Sequence, residues 1–163
     1  MIIYVDTREH PNAIAPIIDH FKTQGLTVIF KKLDVGDYSI EGNSKVVVDR
    51  KRSFNEVVQN LGSEQRRLDR ECQRAVKNGV KLVFLIEQTA WVKHLEDVAN
   101  WKNPNPSKST LCMSGRELME RMHRLSVMYG VEWHFCARKD IGKKILEILL
   151  KNCSYVSKDT KGG

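Results

Sequence analysis

Short apolar runs alternate with amphipathic stretches along the chain, and the two periods separate strands from helices. Ile2–Val5 is a β-branched run that stops abruptly at Asp6, which marks a buried strand. Ile14, Ile17, Ile18 and Phe21 then recur at helical spacing, opened near Pro11 and closed by Gly25. Short strands are predicted next over 27–32, 35–40 and 45–51, with Gly42-Asn43 turning the last two into a hairpin. Phe54, Val57, Val58 and Leu61 begin a helical period that Gly62-Ser63 interrupts. Leu68, Cys72, Ala75 and Val76 resume it as far as Asn78-Gly79.

The run 81–86 is almost wholly apolar, as a central strand covered on both faces requires. Residues 87–110 are less periodic, and 103–109 read as a loop. Leu118, Met122, Leu125 and Tyr129 define another helix, capped by Ser114 with Glu117 completing a capping box and ended by Gly130. A strand over 131–135 and a helix carrying Ile141, Ile145, Ile148 and Leu149 follow. Met113, Met119, Met122 and Met128 read as core filler. The order β-α-β-β-β-α-β-α-β-α predicts an α/β fold, a mixed sheet flanked by helices. Residues 1–152 form one domain in this reading, and the polar segment 153–163 a loose tail.

Composition narrows the function. At 163 residues, 41% hydrophobic and 29% charged, the chain suits a globular domain and excludes disorder or collagen as descriptions of the whole. No apolar run is long enough to span a bilayer, and nothing at the N-terminus suggests export, so a cytoplasmic or nucleoid-associated protein is expected. Cys72, Cys112, Cys136 and Cys153 show no CxxC spacing and are read as reduced thiols, three of them in apolar surroundings. Lys and Arg total 27 against 20 Asp and Glu, a formal charge of +7, which favours an acidic partner, with nucleic acid first among them.

The chemistry concentrates in Gly36-Asp37-Tyr38 and in Val46-Val47-Val48-Asp49-Arg50-Lys51. Strand alternation places Asp49 and Lys51 on one face and Arg50 on the other, and the hairpin brings Asp37 alongside. Two carboxylates, with waters and a substrate phosphate, are the usual way of holding Mg²⁺. The lysine would orient water or stabilise charge in the transition state. An Asp-x-Lys triplet ending a hairpin for solubility is the plain alternative. Against it, ionised groups directly after buried strands are costly unless compensated, and Asp6-Thr7-Arg8-Glu9 repeats the pattern after the first strand.

These residues, Val5-Asp6-Thr7-Arg8-Glu9, Gly36-Asp37-Tyr38 and Val48-Asp49-Arg50-Lys51, resemble the motifs of the XPF-type structure-specific endonucleases of the XPF/Hef kind, within the PD-(D/E)xK group. Glu64-Gln65-Arg66-Arg67-Leu68 resembles the helix that follows in that family. The resemblance implies a restriction-endonuclease-like fold and metal-dependent hydrolysis of DNA near branches, flaps or forks, leaving a 3′-hydroxyl and a 5′-phosphate. It implies Asp37 and Asp49 as ligands of Mg²⁺ or Mn²⁺, with Asp6 a nearby ligand or outer carboxylate and the Arg50 carbonyl a further donor. Lys51 would activate water, Arg8 and Arg50 would position phosphate or brace the carboxylates, and Glu9 and Glu64 would support them. A homodimer through 117–150 is also implied. Asp49 replaces the family's Glu, Asn55 replaces a following Asp, and the tandem helix-hairpin-helix module of relatives does not follow. Asn55 supports an alternative, a catalytically silent DNA-binding subunit of nuclease fold.

Independently, Arg66, Arg67, Arg70, Arg74 and Lys77 fall within about 100° of helix surface, opposite Leu68, Cys72, Ala75 and Val76. Solvation alone produces such faces; phosphate contact is the sharper reading. Glu64 and Gln65 would then face the sheet edge near Asp37 and Asp49. Trp91 and Trp101, with Lys93, Lys102 and Lys108, outline a second possible DNA surface, burial being the commoner fate of tryptophan. An RNA substrate stays open because nothing in the sequence reads a 2′-hydroxyl.

Overall fold

The computed structural model describes residues 1–88, 91–107 and 111–151; Lys108, Cys153 and the tail 153–163 lie outside them. A six-stranded sheet runs in the order β2-β1-β3-β4-β5-β6, formed by Ile2–Val5 (β1), Thr27–Phe30 (β2), Tyr38–Ile40 (β3), Asn43–Lys51 (β4), Lys81–Glu87 (β5) and Glu132–Cys136 (β6). β1 pairs parallel with β2 and antiparallel with β3, β3 antiparallel with β4, and β4, β5 and β6 run parallel. The helices are Pro11–Thr23 (α1), Phe54–Leu61 (α2), Gln65–Lys77 (α3), Gly115–Tyr129 (α4) and Ile141–Lys151 (α5).

Strand alternation divides the core in two. Ile3, Val5, Tyr38, Ile40, Val46, Val48, Val83 and Leu85 point to one face and pack on α1 and α5. Val47, Leu82, Phe84 and Ile86 point to the other and pack on α2, α3 and α4. β5 is buried from Leu82 to Ile86 because both layers cover it. On the second face, among the described residues, no helix covers β2, β1 and β3, and Ile29 stays exposed there. Among the described residues, no helix is long and apolar enough to cross a membrane.

Local chemistry explains the boundaries. Ser53 Oγ accepts the Glu56 amide at 3.3 Å and starts α2, and the chain breaks at Gly62 before α3. Ser114 caps α4 by accepting the Glu117 amide at 3.2 Å, but the Glu117 carboxylate turns to Arg121 rather than closing the box. Gly130 ends α4 in the left-handed region. The expected strand over 35–40 begins only at Tyr38, because the chain bends through Gly36 to approach β4. Val76, placed on the apolar arc of α3 by its spacing, is exposed, while its neighbour Ala75 is buried and holds the last turn on the core. Met128 is exposed as well, on the outer face of α4, while Met113 and Met122 are buried. Cys72 is buried, whereas Cys112 is exposed and Cys136 half-buried.

Candidate active site

β4 is the longest strand, and its apolar half ends at Asp49 in the middle of the sheet. Register with β5 sets Asp49 beside Phe84 and Lys51 beside Ile86, so both side chains enter the layer between the sheet and α2–α3. Lys51 Nζ lies 2.7 Å from Asp49 Oδ1 and 5.3 Å above the Phe84 ring. Both residues are almost out of water, at 5% and 7% exposure. Apart from this ion pair, Asp49 Oδ1 has no partner.

Asp37 is aimed at the same spot by backbone geometry. Gly36 has a φ of +69°, and a Cβ there would lie 3.1 Å from the Val48 carbonyl, so glycine is required by both conformation and space. The Asp37 amide then donates to that carbonyl at 2.8 Å, and Asp37 Oδ2 accepts the Arg50 amide at 2.9 Å. Burial, followed by repulsion from Asp49 and Glu9, drives the Asp37 carboxyl well above its ordinary range. Burial also raises Asp49, to about 6, although Lys51 opposes it. Burial disfavours the Lys51 ammonium, but Asp49 and then Asp37 more than restore it, so its pKa rises and it stays charged.

Arg50 points to the opposite face, as alternation requires. Its Nη2 donates to Glu9 at 3.0 Å and its Nη1 to Glu87 at 3.3 Å, while Glu9 also accepts the Tyr38 hydroxyl at 3.1 Å. Arg50 therefore braces carboxylates. Asp6 does not line the cleft: it is wholly buried, and its oxygens accept Arg8 Nε at 2.6 Å, the Arg8 amide at 2.8 Å and the Leu33 amide at 2.6 Å. Burial alone would raise its carboxyl, but these donors hold it below the usual range. As a metal ligand Asp6 is thus corrected to a brace, because its lone pairs are already committed. Glu64 likewise turns to Asn60, Gln59 and Arg67 instead of to Asp37 and Asp49.

A cleft of about 160 Å³ opens over this cluster, walled by Arg8, Glu9, Asp37, Asp49, Lys51, Glu56, Asn60, Arg67 and Glu71. Glu71 is one of the residues sequence reasoning missed. Its Oε1 accepts the Gly36 amide at 3.1 Å, and its charge faces Asp49 and Lys51. The available signal was its place beside Cys72, at the border of the apolar stripe of α3. Glu56 and Asn60 were missed too; Asn60 Oδ1 is buried without a partner. Asn55 is not in the cleft wall, and its own Oδ1 is buried and unpartnered. Arg66, Arg70, Arg74 and Lys77 are exposed on the outer side of α3, with Arg67 at the cleft. Trp101 packs against Phe54 at 5.3 Å between centroids, and Trp91 is exposed.

The donor set fits a hard divalent cation. A half-buried and a buried carboxylate repel each other beside one ammonium, and a divalent cation between them would relieve the repulsion that helps to raise Asp37. Among the described residues, no three His, Cys, Asp or Glu side chains are grouped to hold a metal by themselves. Mg²⁺ and Mn²⁺ sites with two protein carboxylates draw their remaining ligands from waters and phosphate.

Comparison with known proteins agrees with this architecture. The model of the ERCC4 domain matches residues 5–147, so the chain belongs to the ERCC4 domain family. Among solved structures it is similar to XPF from Aeropyrum pernix, with a TM-score of 0.67 and 21% identity over 96% of this chain and 67% of that one. It is similar also to Aeropyrum pernix XPF in complex with DNA, with a TM-score of 0.65 and 20% identity over 98% of this chain and 68% of that one. The fold is accordingly the restriction-endonuclease-like one. No curated protein matches the chain.

Proposed function

We propose that this chain is a divalent-metal-dependent endonuclease that hydrolyses DNA phosphodiesters at branched, flap or fork structures. The observation that carries the reading is the convergence of half-buried Asp37 with buried Asp49 and Lys51 on one open cleft. Membership of the ERCC4 domain family, a fold shared with a protein solved in complex with DNA, and the basic outer face of α3 support it.

Asp37 and Asp49 would hold Mg²⁺ or Mn²⁺, with the Arg50 carbonyl a further donor. When bound, the cation supplies neutralisation of the scissile phosphate and a more acidic water. Lys51, held as an ammonium by Asp49, cannot accept a proton; it orients the attacking water and stabilises charge growing on the phosphoryl oxygens. Arg8 and Arg67, both on the cleft wall, position the phosphate. Water adds at phosphorus and its proton passes to bulk buffer, while the bond to O3′ breaks and the departing O3′ takes up a proton from solvent. The products are a 3′-hydroxyl and a 5′-phosphate.

The rival reading is a silent DNA-binding subunit, favoured by Asn55. Its position outside the cleft wall, beside a Glu56 that is in it, weakens that reading. Pairing with a second copy through 117–150 is part of the proposal, supported by exposed Val127 and Met128 on α4. The test is cleavage of labelled flap, fork and plain duplex DNA with and without Mn²⁺. Metal-dependent incision abolished by Asp49→Ala is expected, and binding without incision would favour the rival.

A further inference from the structure

The uncovered part of the sheet carries a second cavity, about 470 Å³, on the same face as the catalytic cleft. Its floor is Tyr4 of β1 and Ser39 of β3, its walls Lys31, Lys32 and the end of α3 at Asn78. α3 joins the two cavities. Its N-terminal half, with Arg67 and Glu71, borders the cleft, and seven residues further Asn78 borders the groove, about 10 Å away at 1.5 Å per residue. Val47 lines the groove two positions before Asp49 on the same face of β4.

Two features of this groove suit one class of ligand. Tyr4 presents a ring to the open side: Lys31 Nζ sits 3.7 Å from its centroid, and its hydroxyl donates to Glu41 at 2.8 Å, which fixes the ring plane. Cations for phosphate contact stand at its edge. Lys31 and Lys32 are exposed in its wall beside Asp34 and Glu41, and Arg74 reaches the rim from α3. Arg74 Nε donates to the Asp34 carbonyl at 3.3 Å, which leaves its charge at the rim of the groove. An aromatic platform within a cationic channel is how proteins hold unpaired nucleic acid, because every exposed base has a face to stack. Bases within a duplex are already stacked and cannot use it.

We propose that this groove binds the unpaired DNA strand leading to or from the scissile phosphate, with one base stacked on Tyr4 in place of the Lys31 ammonium and Lys31 and Lys32 on its phosphates. The proposal rests on the nuclease reading and deepens it: α3 takes the paired arm, the groove the unpaired one. Discrimination for branches would then be built into this domain.

The test measures binding of a fluorescent twelve-nucleotide single strand and of a duplex of the same sequence, in EDTA so that nothing is cut. Tyr4→Ala is expected to weaken single-strand binding by roughly tenfold or more and to leave duplex binding unchanged. Tyr4→Phe keeps the ring and should keep the affinity. Lys31→Glu and Lys32→Glu, on the surface and safe for folding, should each lower the salt dependence of single-strand binding by about 0.7 of a log unit. If Tyr4→Ala binds the single strand as tightly as the unaltered chain, or loses both ligands equally, the groove assignment is wrong while the nuclease reading stands. If the unaltered chain binds neither DNA, both fall. If Tyr4→Ala instead abolishes self-association in sedimentation at unchanged DNA affinity, the face belongs to a second copy and the proposal is overturned.

Discussion

Glu71 Oε1 accepts the Gly36 amide at 3.1 Å, which ties helix α3 to the turn that aims Asp37. The same carboxylate raises Asp49 and supports the charge on Lys51. Glu71→Gln keeps a hydrogen-bond acceptor but removes the charge. The pKa of Asp49 should then fall, and the acid limb of the pH–activity profile should move to lower pH. A limb that stays in place would show that Glu71 does not act on Asp49 electrostatically.

Asp49 titrates near 6, so protons compete with the cation as pH falls through that value. Metal affinity, followed by calorimetry with Mn²⁺, should decline as pH falls below 6, by up to tenfold per pH unit for each carboxylate that takes up a proton, and the raised carboxyl of Asp37 should extend the decline to higher pH. Activity at saturating DNA should follow the same curve.

Asp37 reports on stability. Its folded pKa is raised, so the native state binds more protons than the unfolded one between the ordinary carboxylate range and the elevated value, and stability falls as pH rises across that window. Asp37→Asn escapes this penalty and keeps an oxygen for the Arg50 amide. In EDTA at pH 8 the variant should melt higher than the parent, by roughly 2–4 °C per kcal/mol relieved, with the gap closing towards pH 4. Addition of Mn²⁺ should raise the melting temperature of the parent only, and the variant should not cut DNA.

Asp6 is structural. Asp6→Ala removes the acceptor of the buried Leu33 amide and of the exposed Arg8, and should cost about 1–3 kcal/mol in urea unfolding. Gly36→Ala should cost about 1–3 kcal/mol, since it forces a side chain into positive φ against the Val48 carbonyl.

Much of this architecture was legible in the sequence. Periodicity located the six strands and the α-helices in order, whereas the short 3-10 turns at Leu95–Asn100 and Arg138–Asp140 carried no such signal. The facing of Asp49 and Lys51 away from Arg50 followed from strand alternation alone. What alternation does not carry is which side chains from other elements arrive at the same point. Glu71 and Asn60 reach the cleft from helices whose azimuth depends on the Gly62 break. Asp6 looked like a third ligand, because a sequence does not show that Arg8 and the Leu33 amide occupy its oxygens. The groove beside Tyr4 was equally hidden, since it arises where no helix covers the sheet.

Asp37 and Asp49 both hang on one short hairpin, whose turn runs through Gly42 between Ile40 and Asn43. A strand displaced by a single position exchanges its two faces. Lengthening that turn by one amino acid would therefore rotate Arg50 inward and Asp49 outward, setting a cation where the anion had been. A one-residue insertion in that turn would thus exchange the charge offered to the cleft without replacing any residue that lines it.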